Sequence, residues 1–309
     1  MATEAPAGVP ALPPGRRSIR RRLLLLALLP LGVVLPVMLA VLAIWGGDYL
    51  DRLLITKVQA DLAVARGYYE RVAEGLGRSV SALADSERLA RGLHGEPGKV
   101  NSLLEEARLA GKLDFLSFLK PQQAAAVAAE WPVVASALAG TARTETERFS
   151  AEHLRAHAPA LAEQAMTPLL PTANARPLQR SSEERGLVMQ SAAPVRDAAG
   201  RGVGVLVGGI LLNKNLAFID RLNDIVYPEG SLPFGSAGTA TLFLDDVRVA
   251  TNVRLFEGGR AIGTRVSAAV YDAVIGQGRT WLDRAFVVTD WYVSAYEPLV
   301  DSRQQRIGM

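Results

Sequence analysis

Arg248, Trp281, Arg284, Trp291, Tyr292 and Tyr296 crowd into the last quarter of the chain. Arginine carries a rigid fork of N–H donors that matches a carboxylate, and aromatic side chains supply apolar walls. Together they are the candidate ligand-binding set, and the chemistry they suit is capture of a small organic anion. Period-two alternation divides them: Trp291, Val293 and Ala295 share one face of a strand, and Tyr292, Ser294 and Tyr296 share the other. Both faces cannot line one pocket. The competing role for the apolar members is core packing. For the arginines it is pairing with Asp283, Glu297 or Asp301.

Other reactive groupings lead nowhere catalytic. There is no cysteine, so thiolate chemistry, disulfides and Cys-ligated zinc are excluded. GxSxG, HExxH and Walker motifs are also absent from the sequence. His153 and His157 stand four apart on a predicted helix, without the glutamate of HExxH or a third ligand, and read as ordinary helix residues. Asp245-Asp246 reads as a turn, because adjacent strand carboxylates point to opposite faces. The glycines of the run GRGVGVLVG (Gly200–Gly208) are not spaced as GxGxxG and sit within a predicted strand, not at a strand-to-helix turn, so they cradle no phosphate. Gly46-Gly47-Asp48 is a bare tripeptide. The expectation is no catalytic residue, no metal and no cofactor, and hence no enzyme within these residues.

The elements that must position the candidate set follow in order. Met1–Gly15 is Ala- and Pro-rich without periodicity. Arg16, Arg17, Arg20, Arg21 and Arg22 then abut an uncharged apolar run, Leu23–Ile44. At about 1.5 Å per residue a helix of that length spans roughly 30 Å, enough for a bilayer. The arginines place the N-terminus in the cytoplasm by the positive-inside rule, and Trp45 suits the interface. This divides the start into a basic cytoplasmic tail (1–22) and a transmembrane helix (23–45). The net charge of +3 owes much to that cluster, which argues against nucleic-acid binding.

From Asp48 to about Leu93 one long helix is predicted, with Ile55, Val58, Leu62, Ala65, Tyr69, Val72 and Leu76 in a heptad-like stripe. The stripe can face a partner subunit or the chain's own modules. A stalk (46–99) leads to a distal module (100–215): helix Val100–Ala110, strand Leu113–Leu119, a helix over Gln122–Gly140 broken at Pro132, helix Phe149–Ala165, and paired strands Arg185–Pro194 and Val203–Leu212. Helix Asn213–Tyr227 connects to a proximal module (216–309) of strands Thr239–Leu244 and Val247–Ala250, a helix in Val266–Ile275, and strands Arg284–Val288 and Trp291–Pro298.

The runs TLFLDDVRVATN, AIGTRVS and WYVSAYEPLVD resemble the membrane-proximal module of a bacterial extracytoplasmic double Cache domain. The resemblance is specific over about the last 70 residues and agrees in layout from Asp48 onward. It implies an α+β fold with two stacked PAS-like modules, each with an antiparallel sheet. It implies a ligand between the proximal sheet and the helices and loops on one face. It also implies a transmembrane receptor, with Ile307-Gly308-Met309 beginning a strand that runs toward a second membrane helix. The stripe on the stalk suggests a parallel homodimer, and the arginine cluster puts residues beyond about 46 in the periplasm, the anchor crossing the inner membrane. A sensor histidine kinase is the output the resemblance favours. A chemoreceptor, a diguanylate cyclase and an anchored binding protein without output are the alternatives.

Overall fold

The computed structural model describes residues 19–93, 97–197, 199–232, 236–255, 258–288 and 290–309. By internal contacts the chain falls into two units, Met1–Leu54 and Ile55–Met309.

In the first unit the described residues belong to helix α1 (Ile19–Ala84), which carries Pro30 and Pro36. Among the described residues no helix is long and apolar enough to cross a membrane. The predicted span falls partly outside that set: the side chains of Leu25, Ala43 and Ile44 are not described, nor are those of Arg20–Arg22 and Trp45. Arg16 and Arg17 lie outside the described residues altogether. Leu23–Leu42, where described, exposes its leucines, valines and methionine.

The second unit is α+β with antiparallel sheets. The predicted continuous stalk helix is interrupted. α1 ends at Ala84, and α2 (Glu87–Leu93) starts afresh. The cause is Ser86, whose Oγ accepts from Leu89 N at 3.2 Å and donates to the Leu83 carbonyl at 2.7 Å, a side-chain cap that competes with the helix.

α3 (Pro97–Ala110) leads into β1 (Phe115–Leu119). α4 (Pro121–Val127) and α5 (Pro132–Leu138) each begin with proline in the first turn, where the missing N–H costs nothing. β2 (Arg143–Phe149) follows, then α6 (Ala151–His157) and α7 (Pro159–Ala165), divided at Pro159. A small ladder of β3 (Thr167–Pro168) and β4 (Ser182–Glu183) brackets a long loop. β5 (Gly186–Arg196) and β6 (Gly202–Leu211) complete a sheet of order β1-β6-β5-β2.

That sheet is covered on both faces, which is why β5 is buried at almost every position. One face packs Val188, Ala192 and Val207 against α4–α7 through Trp131, Val134 and Leu154. The other packs Met189, Ala193 and Leu206 against Leu76 and Val80 of α1 and Leu89 of α2. α1 approaches so closely that a Cβ at Gly77 would run into the Thr144 hydroxyl at 2.6 Å. The helix-weakening glycine is thus a packing requirement.

α8 (Leu216–Val226) is capped by Asn215, which accepts from Phe218 N at 3.0 Å. β7 (Thr241–Leu244) and β8 (Val247–Thr251) form a hairpin about Asp245-Asp246, with Asp245 at φ 52°. α9 (Ala268–Tyr271) runs into a π-helical turn, Asp272–Gly276. β9 (Trp281–Val287) and β10 (Asp290–Tyr296) pair as a hairpin. β11 (Leu299–Val300) follows after Glu297-Pro298, and β12 (Arg306–Gly308) joins the sheet β11-β12-β7-β8. One face of this sheet packs on α8 and on Ala65, Tyr68, Tyr69 and Val72 of α1. The other packs on α9, the π-helical turn and the β9–β10 hairpin.

Candidate functional site

The hairpin register sets Phe243 directly opposite Arg248 after a bulge at Leu242/Phe243. Leu242, Leu244, Val247 and Val249 belong to the face toward α8. Phe243 belongs to the other, and the Arg248 guanidinium lies over its ring, 5.1 Å from the centroid. Arg248 is only 3% exposed. Its Nη1 donates to Thr264 Oγ1, which donates in turn to the Ala261 carbonyl at 2.7 Å. Its Nε is buried and has no hydrogen-bond partner among the described residues. No carboxylate pairs with it there either. Burial pulls its pKa down to about 10, against the opposing pull of the Tyr296 phenol. A buried guanidinium without a counter-charge is costly, and structures keep one where something else supplies the negative charge.

Tyr296 stands at the far side of Phe243, with ring centroids 5.9 Å apart. Burial raises its phenol pKa more than the Arg248 charge lowers it, so the hydroxyl is neutral and able to donate. Across the β9–β10 ladder Tyr296 faces Trp281. Directly opposed residues have neighbouring side chains on one face. The Trp281 indole Nε1 is a second buried donor with no partner among the described residues. Val270, Val274 and Ile275 close the apolar side. Arg306 of β12 holds the π-helical turn by donating to the carbonyls of Ile275 and, at 3.0 Å, Gly276.

The structure therefore brings Arg248, Trp281 and Tyr296 to one face of the proximal sheet. Arg284 and Trp291 fall on the opposite face. Arg284 is exposed on the outer face of β9, and Trp291 is 69% exposed and packs edge-on against Phe286 at 5.7 Å. Tyr292 shares the face of Tyr296, opposite buried Ala285, but at 37% exposure it stands at the open end of that face. Of the acids considered as partners for the arginines, Glu297 pairs with Arg66 of α1, and Asp301 accepts from the backbone of Arg303 and Gln305 in its own turn. Thr264, which orients the guanidinium, was not among the expected residues. Its signal in the sequence was only a hydroxyl inside the AIGTRVS turn.

The Asp-Asp pair is a turn that also ties the β7–β8 hairpin to the segment before β5. Asp245 binds Arg185 at 2.6 Å, and Asp246, 5% exposed, takes Arg265. Arg265 also donates to the Arg176 carbonyl at 2.6 Å, Ala268 N donates to Asn174 O at 2.8 Å, and the Arg176 guanidinium lies 4.4 Å from the Tyr271 ring centroid. The loop between β3 and β4 thus clasps α9, the roof of the site. Gly263 permits this approach: at φ 87° a Cβ would strike the Pro168 carbonyl.

His153 serves structure. Trp131 Nε1 donates to its Nε2 at 2.8 Å, which leaves the proton on Nδ1, 3.0 Å from Glu130. The His157 side chain lies outside the described residues. An open, polar depression lined by Arg88, Lys99, Ser102, Leu103 and Glu106 lies on α2 and α3, apart from these groups.

A buried arginine and several aromatic side chains thus lie under a short helix, on one face of a small antiparallel sheet. Residues 210–309 match the family model described as single Cache domain 3. That match spans the C-terminal third of the chain, the same stretch in which TLFLDDVRVATN, AIGTRVS and WYVSAYEPLVD resemble a Cache module. No curated protein sequence matches the chain. Among solved structures, the periplasmic domain of Vibrio cholerae LuxQ is similar at 12% identity and a TM-score of 0.43, covering 78% of this chain and 95% of that one. Its selenomethionine form gives 11%, 0.42, 77% and 94%.

Proposed function

We propose that this chain is the sensing region of a transmembrane receptor and that its Cache domain binds a small organic anion at Arg248. The observation that carries the reading is the buried guanidinium with no counter-ion, set in the face of the sheet where a Cache ligand is expected. A carboxylate would neutralise it and occupy its unused Nε. Trp281, Tyr296, Phe243 and the valines of α9 and the π-helical turn would wall the rest of the ligand.

In this reading the sheet β1-β6-β5-β2 would belong to a second Cache module, giving a double architecture on a helical stalk; its support is the antiparallel sheet with helices on both faces. Leu23–Ile44 would cross the inner membrane with Arg16–Arg22 inside and the modules in the periplasm. Two copies would associate in parallel along α1. Ligand capture would draw on Thr264 and the π-helical turn, and Arg306 would pass the change to β12 and so toward the membrane. The output we favour is a histidine kinase, by resemblance. In this reading the sensing region itself performs no catalysis.

Fusion of alkaline phosphatase after Gly98 tests the topology, because that reporter is active only when exported. An active fusion is expected. A well-expressed but inactive one refutes a periplasmic sensor.

A further inference from the structure

Arg248 is a single cation in an otherwise apolar wall of Phe243, Val270, Val274 and Ile275. Neighbouring arginines of the module are already committed. Arg260 pairs with Asp220 at 2.7 Å, Arg265 pairs with Asp246, and Arg306 is held by main-chain carbonyls. Arg306 keeps its charge but is exposed to water, so among these arginines Arg248 is the one buried without an acid, and one buried charge balances one negative charge. A second carboxylate on the same ligand, or a phosphate dianion, would bring a charge with no partner into a low-dielectric site.

The second buried orphan is neutral. The indole N–H of Trp281 can only donate, so it calls for an acceptor without charge. It is linked to Arg248 through a continuous series of contacts: Trp281 opposite Tyr296, Tyr296 5.9 Å from Phe243, and Phe243 beneath the guanidinium.

Resting on the anion reading above, we propose that the site is built for a monocarboxylate with an apolar body and one further uncharged acceptor. The carboxylate would sit on Arg248, and the acceptor would sit on the Trp281 indole N–H.

The test uses the full chain in detergent, with thermal shift followed by calorimetric titration. The probes are phenylacetate, phenylpyruvate, phenylmalonate and phenylacetamide. Phenylacetate and phenylpyruvate should raise the melting temperature, and the dianion and the neutral amide should bind at least about tenfold more weakly, one decade of Kd. Trp281→Phe should weaken phenylpyruvate by roughly five- to tenfold and leave phenylacetate within about twofold, the size of one lost hydrogen bond. Trp281→His, which keeps a ring N–H, should recover part of that loss and guards against a packing defect in the Phe variant. Phenylmalonate binding as tightly as phenylacetate, or Trp281→Phe weakening both acids equally, overturns this inference and leaves the anion site standing. If no acid shifts the melting temperature, the anion reading itself falls, and this inference with it.

Discussion

Arg185, just before β5 of the distal sheet, reaches Asp245 in the β7–β8 turn at 2.6 Å while also holding Glu183 at 2.7 Å. The turn that begins the Arg248 strand is thus pinned to the segment that leads into β5. Asp245 N also donates to the Ile307 carbonyl at 2.8 Å, so the same turn touches the last strand. Glu183 is fully buried. Burial alone would raise its carboxyl, but the hydrogen bonds and charge of Arg185, with help from Arg180, hold it below the ordinary value of 4.5.

Arg185→Ala should therefore destabilise the fold by about 3 kcal/mol, the low end for a broken buried pair, since Arg180 remains on Glu183 at 2.6 Å. The sign of the pH effect follows from the depressed folded pKa. The stabilisation is present above about 4.5 and is lost as pH falls through the folded value. Urea denaturation at pH 7 and at pH 4 checks both. A loss below about 1 kcal/mol at pH 7 would mean that the pair does not clamp the turn.

Glu147 on β2 is the opposite case. Burial raises its carboxyl above the ordinary 4.5, and the nearby Asp301 adds to the shift, against a weak bond from Ser302 N at 3.4 Å. A raised folded pKa means that the folded state binds the proton more tightly, so this group's contribution to stability falls as pH rises from 4.5 through the folded value. Glu147→Gln should raise the melting temperature at pH 7. The gain should vanish as pH approaches 4.5. A gain that persists unchanged at pH 4 would contradict the charge argument.

The α1 stripe is partitioned by what it touches. Ala65, Tyr69, Val72 and Leu76 pack on the chain's own modules, whereas Ile55, Val58 and Leu62 are only half-buried. Single cysteines in membranes should therefore crosslink between copies at Ile55, Val58 and Leu62, with a three-to-four rhythm, and not at Tyr69, Val72 or Leu76. Uniform crosslinking from Ile55 to Leu76 would count against a parallel dimer along this helix.

The elements were legible where pattern and punctuation agreed. Pro132 split α4 from α5, Asp245-Asp246 turned β7 into β8, and the apolar runs of β5 and β6 gave a strand pair. β2 was missed because RTETERF has no apolar run. One of its faces packs through hydroxyls, with Thr144 on Ser191 at 2.9 Å and Thr146 on the Tyr69 phenol, and the other buries Glu147 and Phe149. The break at Ser86 was hidden because one capping hydroxyl in a helical pattern looks like any exposed serine. At the site, alternation correctly separated Trp291 from Tyr296 but could not say which face looks inward. That depends on how the β9–β10 hairpin folds onto α9, which is tertiary information.

The central claim is that Arg248 is held in the core for a ligand's negative charge and not for the fold. Because it is buried without a counter-ion, Arg248→Met should leave the unliganded melting temperature unchanged or higher, as apolar replacement of a buried charge commonly does. The decisive measurement is the dissociation constant for phenylacetate by calorimetry on wild type, Arg248→Met and Arg284→Met. A hydrogen bond to a charged group is worth about 1.5–3 kcal/mol, so Arg248→Met should weaken binding roughly 10- to 150-fold. The exposed Arg284→Met should match wild type. Binding that survives in Arg248→Met, or a fold that collapses without this arginine, would contradict the account.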